Sequence, residues 1–467
     1  MRFARRWFVP DLALLAAIVT LIYSLAGFHA SRELFRDATT GWHLVTGERI
    51  LEGYRFPRQD PYSFVGTGAP WLARDWAADC LMGLAFTRAG LAGVAAIFVV
   101  ALALVSWIWF RLTWAVNGNF FLACLLFVPM VSNASVEWLA VPRVLGWILL
   151  LAAVWFFEQP RPRFRLRDYA VVVLGSIVWA NVDETFFLLP AIALIYAISH
   201  FARPLIWNAD ASVELARGRS FLLTAVLSAL ATLANPYGWR LAAPSLECHS
   251  TLVLLIGVIG GAAALAQKKL AHFLLLVAFA CEPRGVPAAA LLLLPLANGA
   301  ITDGLRRAHD LRAAVRHGLS AFLTYSDRLR LLDARRTGFA WGAIAAVLVL
   351  LWFRLPTVAA HTGFPPERFP VVAANELTLV PPDARLLAPA DYGGYVVFRF
   401  QGARKVLAYE GNDFARVFEA RPGWQAEVER LDFTHALLPD DSPLVPALEQ
   451  IGWKVVFRDE VATLLAR

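Results

Sequence analysis

Charge is scarce in this sequence. Asp, Glu, Lys and Arg make up 17% of its 467 residues, and 58% are hydrophobic; soluble domains run at about 25% charged and about 45–50% apolar. That deficit excludes an ordinary soluble domain and assigns the chain to the polytopic membrane proteins. Cysteine is scarcer still. Cys80, Cys124, Cys248 and Cys281 have no CxxC spacing and lie in or beside apolar segments, so they imply buried thiols and neither a disulfide framework nor a metal site. There is no internal repeat of fixed period and no low-complexity tract. The net charge of +7 does not mark a nucleic-acid partner, because the basic residues fall in short clusters between apolar runs and therefore carry topology.

What is present is a succession of apolar runs of spanning or nearly spanning length. They lie at about 10–29, 91–110, 118–136, 139–157, 169–182, 185–202, 220–235, 251–267, 270–281, 287–301 and 338–355, roughly eleven in all. The first is read as an uncleaved helix, since no small-residue cleavage site followed by a soluble domain appears. Residues 76–90 read as an amphipathic helix lying along the interface before the second run. Arg and Lys alternate between the loops. With the N-terminus cytoplasmic, the inside loops collect Arg111, Arg161 to Arg167, Arg203, Arg217, Arg219, Lys268, Lys269 and the eight Arg of loop 302–337. That loop reads as a site for a docked partner or as an amphipathic helix on anionic lipid. An odd number of spans then places residues 356–467 outside.

The expected architecture is a mainly α polytopic membrane helical bundle, residues 1–355, followed by a small extracytoplasmic α/β domain, 356–467. The first extracytoplasmic loop covers 30–90. In the tail, VVAANE, ARLLAPA, YVVFRF and KVLAYE read as strands, with a tight turn at Tyr392-Gly393-Gly394-Tyr395. SPLVPALEQIG reads as helix, and WKVVFRDE and VATLLAR as a terminal strand pair.

This topology sorts the unusual polar residues onto the outer face. The first loop carries Asp37, Trp42, His43, Trp71 and Asp75; Arg143 follows Pro142; Asp183 and Glu184 join two spans; Asn235 and Arg240 close another; and Arg284 lies in a short connection. Each has a plainer reading. Asn235-Pro236-Tyr237-Gly238 is a good helix stop, Asp183 and Glu184 suit a solvated hairpin tip, and Arg143 can snorkel. Together, helix ends bearing carboxylates and guanidinium groups on one side suit an enzyme acting on a lipid-borne substrate. Glycosyl transfer from a lipid-linked sugar phosphate needs a carboxylate base for the acceptor hydroxyl, for which Asp37 is the candidate. It also needs cations on the leaving phosphate, for which Arg143, Arg240 and Arg284 are candidates. Trp42 and Trp71 are candidates to stack on sugar faces.

The first loop, from Asp37-Ala38-Thr39-Thr40-Gly41-Trp42-His43 through Pro57-Arg58-Gln59-Asp60-Pro61-Tyr62-Ser63-Phe64 to Pro70-Trp71-Leu72, resembles bacterial multi-spanning proteins related to the C-type glycosyltransferases. Trp179-Ala180-Asn181, Asn235-Pro236-Tyr237-Gly238 and Gly393-Gly394-Tyr395 extend the resemblance over most of the chain. It implies a bacterial inner-membrane enzyme using a polyprenyl-phosphate sugar, with Asp37 in the catalytic position. The pattern departs at Thr39, where relatives often have a second acid, and at Arg74 and Asp183, where they often have histidines. These losses weigh against a metal-assisted mechanism, and no cofactor is expected. They also keep open a second reading, a non-catalytic scaffold or lipid-glycan binding relative that retains the fold.

Overall fold

The computed structural model describes residues 8–53, 55–65, 70–161, 163–238, 251–280, 286–308, 312–334, 336, 338–407 and 414–467. In chain order its longer helices are α1 (Leu12–Ile22), α2 (Thr39–Gly53), α3 (Trp76–Ala115), α4 (Phe120–Ala134), α5 (Arg143–Phe157), α6 (Leu166–Val182), α7 (Leu188–Trp207), α8 (Ala211–Ala231), α9 (Thr251–Ala266), α10 (Leu270–Ala280), α11 (Val286–Arg306), α12 (Ala313–Asp333), α13 (Phe339–Arg354) and α14 (Ala390–Arg399). Every apolar run read from the sequence coincides with one of these helices. By length and composition, the segments Trp76–Ala115, Phe120–Glu137 and Glu184–Trp207 are long and apolar enough to cross a membrane.

The chain divides into two compact units. One holds residues 1–27, 99–138 and 142–351; the other holds 28–98, 139–141 and 352–467. The first is helical. Its capping is local: Asp11 accepts from the Leu14 N–H at the head of α1, and Asn119 from Phe121 and Leu122 at the head of α4.

The second unit joins the first-loop region to the tail. Helix α3 breaks at Ala89 and Gly90, the latter at φ 61, a left-handed backbone that glycine adopts without steric cost. The break separates the stretch beginning at Trp76 from the apolar stretch after Gly90, as the reading of an amphipathic segment at 76–90 anticipated. The tail carries a four-stranded sheet of β1 (Leu386–Leu387), β2 (His435–Pro439), β3 (Lys454–Arg458) and β4 (Ala462–Ala466), in the order β1-β2-β4-β3. β1 and β2 are parallel; the other pairings are antiparallel, with a bulge between Val455 and Phe457. Alternation puts Leu386, Leu437 and Leu464 in one apolar cluster and Leu387, Ala436, Leu438 and Leu465 in another, one on each face.

The terminal strand pair and the helix within SPLVPALEQIG, at Leu444–Gln450, are present. Three readings of the tail are corrected. VVAANE contains a helical turn at Ala373–Glu376, YVVFRF belongs to α14, and Gly393-Gly394 lies inside that helix instead of forming a turn. Of KVLAYE, Val406 forms single bridges to Ser63 and Leu386, and its last three residues lie outside the described residues. Strand His435–Pro439 is an addition to the sequence reading.

Candidate functional site

Asp37 stands at the entry to α2. Its Oδ1 accepts both the backbone N–H and the hydroxyl of Thr39, each at 2.7 Å. This is the local side-chain-to-backbone bond that favours Asp and Thr ahead of a helix. Thr39, standing where a second acid was anticipated, is thus a donor to the first.

Glycines fix α2 in place. A Cβ on Gly41 would overlap the Gly394 carbonyl of α14, and one on Gly394 would overlap the Ala38 carbonyl. On the other side, a Cβ on Gly47 would overlap the Asp79 carbonyl of α3, and one on Gly83 would meet the backbone of Gly47 and Glu48. Only bare backbones pass this close. The Gly393-Gly394 pair noticed in the sequence therefore acts through packing.

His43 lies four residues before Gly47 and so shares its helix face, toward α3. Its Nδ1 sits 2.7 Å from Asp79 Oδ1, and the Asp79 side chain is only 4% exposed. Burial alone pushes the imidazole down. The Asp79 carboxylate, with smaller help from Asp75 and Asp37, overrides this and raises His43 from 6.5 to about 9. At neutral pH the ring is an imidazolium whose Nδ1–H is committed to Asp79. Sequence reasoning missed Asp79. The available signal was an acid on a largely apolar helical stretch, but its partner lies 36 residues away.

The aromatic candidates converge on Tyr62. Trp42 meets it edge-on at 5.1 Å and Trp71 at 5.7 Å between ring centroids, while Arg49 lies over the Tyr62 ring at 4.8 Å. The Tyr62 hydroxyl is 3.0 Å from Thr46 Oγ1. Trp42 and Trp71 are partly buried against the cluster that covers one face of the sheet.

The remaining described candidates belong to the helical unit. Arg143, the first residue of α5, pairs with Glu137 at 3.3 Å and also feels Asp183 and Glu184. Asp183 is buried; its Oδ2 accepts the Thr185 N–H at 3.0 Å and the Thr185 hydroxyl, and Trp179 Nε1 donates to the same hydroxyl at 3.3 Å. A Cβ on Gly146 of α5 would overlap the Asp183 carboxylate. Asp183 is therefore sealed and not a solvated hairpin tip. Asn235 closes its own turn, donating to Thr232 and Gly238 carbonyls and accepting the Tyr237 N–H. Arg240 and Arg284 lie outside the described residues. The structure thus gathers Asp37, His43, Asp75 and Asp79 in one unit, and Arg143, Asp183 and Glu184 in the other. Among the described residues no three His, Cys, Asp or Glu side chains converge as metal ligands.

No protein-family model matches the chain, and no curated protein is similar to it in sequence. Among solved structures it is similar to the oligosaccharyltransferase of Archaeoglobus fulgidus tethered to an acceptor peptide containing the NVT sequon, with TM-score 0.58 and 12% identity over 91% of this chain and 68% of that one. The same enzyme, AglB, in complex with an inhibitory peptide and a dolichol-phosphate gives TM-score 0.57 and 12% identity, over 91% and 69%. The fold is that of the C-type glycosyltransferases, as the first-loop motifs indicated.

Proposed function

We propose that this chain is an integral-membrane glycosyltransferase that moves a sugar from a polyprenyl-phosphate donor to an extracytoplasmic acceptor at the bacterial inner membrane. The observation that supports this reading is Asp37, half-buried at the entry to α2, two residues before its Thr39 donor. It stands in a chain with the C-type fold. His43, held by Asp79, lies close enough to Asp37 for the imidazole to feel that carboxylate.

The chemistry follows from what such a transfer requires. The acceptor hydroxyl oxygen bonds to the anomeric carbon as the bond from that carbon to the phosphate oxygen breaks. The proton goes to Asp37, and the electron pair leaves with the polyprenyl phosphate. Arg143, Arg240 and Arg284 are the proposed phosphate contacts, because a guanidinium binds phosphate bidentately. Trp42, Trp71, Asp75, Glu184 and Asn235 complete the proposed substrate surroundings, while the sealed Asp183 supports its helix end. The C-type pattern raises a divalent ion; among the described residues no three His, Cys, Asp or Glu side chains converge to hold one.

Two observations favour the alternative of a non-catalytic scaffold or lipid-glycan binding relative. Thr39 replaces a second acid, and the Asp183 carboxylate is taken up by Thr185. Mass spectrometry of envelope glycans from the parent and a deletion strain separates the readings. Loss of one hexose or pentose mass on deletion supports transfer, and an unchanged profile supports the scaffold.

A further inference from the structure

Asp79 lies on the inward face of the first stretch of α3, beside Ala78 and Met82, each 1% exposed. Its carboxylate has one hydrogen-bond partner among the described residues, His43 Nδ1. A carboxylate buried this deeply is costly unless its partner stays charged and in place. The close backbone passages at Gly47 and Gly83 hold the two helices at that distance. Asp79 therefore dictates which ring nitrogen is used and which way the ring faces.

The other nitrogen is left over. The His43 side chain is 21% exposed, and its Nε2 has no hydrogen-bond partner among the described residues. Asp37 mirrors it. Its Oδ1 is taken by Thr39, while its Oδ2 accepts no hydrogen bond among the described residues, and the residue is half-buried. The two groups are near enough for the Asp37 charge to act on the imidazole, as do Asp75 and, most strongly, Asp79. One open N–H and one open carboxylate oxygen thus flank the first turns of α2. Their chemistry selects a ligand. A phosphate would gain from the imidazolium but would also meet the Asp37 and Asp79 carboxylates. A hydroxyl both accepts and donates a hydrogen bond, so the hydroxyls of a sugar satisfy both groups with no charge opposed.

We propose that His43 donates its Nε2–H to a non-reacting sugar hydroxyl, with Asp79 as the positioning residue that holds the ring for it. The attacking hydroxyl is excluded as the partner, because a hydrogen bond from a cation withdraws charge from the oxygen that must become the nucleophile. The proposal rests on the reading of the Asp37 region as a sugar site, and it holds whether that sugar is transferred or only bound.

Imidazole nitrogen NMR of the full chain in phosphatidylcholine nanodiscs tests it, with His43→Gln identifying the signal. The probes, each added alone, are D-glucose, D-galactose, D-mannose, L-arabinose and inorganic phosphate. At least one sugar shifts the Nε2 signal and moves the ring's midpoint above about 9, because a ligand that accepts the N–H favours the charged ring. Phosphate leaves the signal in place. In Asp79→Asn the ring is neutral at pH 8, and the same sugar binds about five-fold more weakly, the difference between a charged and a neutral hydrogen bond. The loss is smaller at pH 5. Absence of a shift with every sugar overturns the proposal, as does a shift with phosphate alone. A loss in Asp79→Asn that is equal at both pH values overturns the positioning role. A sugar shift alongside a glycan profile unchanged by deletion supports the binding and sinks only the transfer.

Discussion

The same short pattern occurs twice. Asp37-Ala38-Thr39 and Asp183-Glu184-Thr185 each place an acid two residues before a threonine, and in each the carboxylate accepts both the N–H and the hydroxyl of that threonine. The surroundings then diverge. Asp183 is 2% exposed and pressed against Gly146. Asp37 is half-buried and stands at the head of a helix that carries an imidazolium. Local hydrogen bonding makes the two acids look alike. Burial and neighbouring charge are what separate the two carboxylates.

The largest predicted effect separates these two acids. Asn at position 37 keeps an oxygen for the Thr39 bonds but is no base, so Asp37→Asn leaves the melting temperature nearly unchanged and lowers transfer by about 10²–10⁴-fold. Asp183→Asn does the reverse: it lowers the melting temperature, and the remaining activity follows the folded fraction. Next comes the support of α2. Gly47→Ala forces a methyl into the Asp79 carbonyl and costs about 1–3 kcal/mol or more, read by chemical or thermal unfolding. The threonines sharpen the comparison on a smaller scale. Thr185→Val strips a donor from a buried carboxylate and costs about 1–3 kcal/mol, while Thr39→Val removes a bond at a half-exposed one and costs about 0.5–1.5 kcal/mol.

The comparison also carries a pH dependence. His43 is raised from 6.5 to about 9 by Asp79, so the pair's contribution to stability is full below pH 6.5 and is lost as pH rises through about 9. Imidazole NMR of the unchanged protein gives a midpoint near 9. Asp79→Asn moves it to 6.5 or lower, because burial then acts with less opposition. A midpoint unmoved by that change contradicts the assignment.

What the sequence revealed depended on the range of the interaction. Apolar length is a local property, and each run became a helix. Asp37 stands out in the sequence because its neighbours carry the pattern. Asp79 does not, because the contact with His43 joins different helices. The tail was misread at Tyr395-Val396-Val397-Phe398, where β-branched and aromatic residues after two glycines mimic a turn and a strand. There the close passage of Gly394 against α2 sets the structure, overriding local propensity. Thr39 looked like a lost acid, and only its geometry shows it bonded to Asp37.

The central claim is that Asp37 carries a transfer reaction. The most direct measurement is the envelope glycan profile, by mass spectrometry, of a deletion strain complemented with the unchanged protein or with Asp37→Asn at matched membrane levels. The account predicts that Asp37→Asn reproduces the deletion profile, lacking one sugar mass that the unchanged protein restores. An Asp37→Asn profile identical to that of the unchanged protein would contradict it.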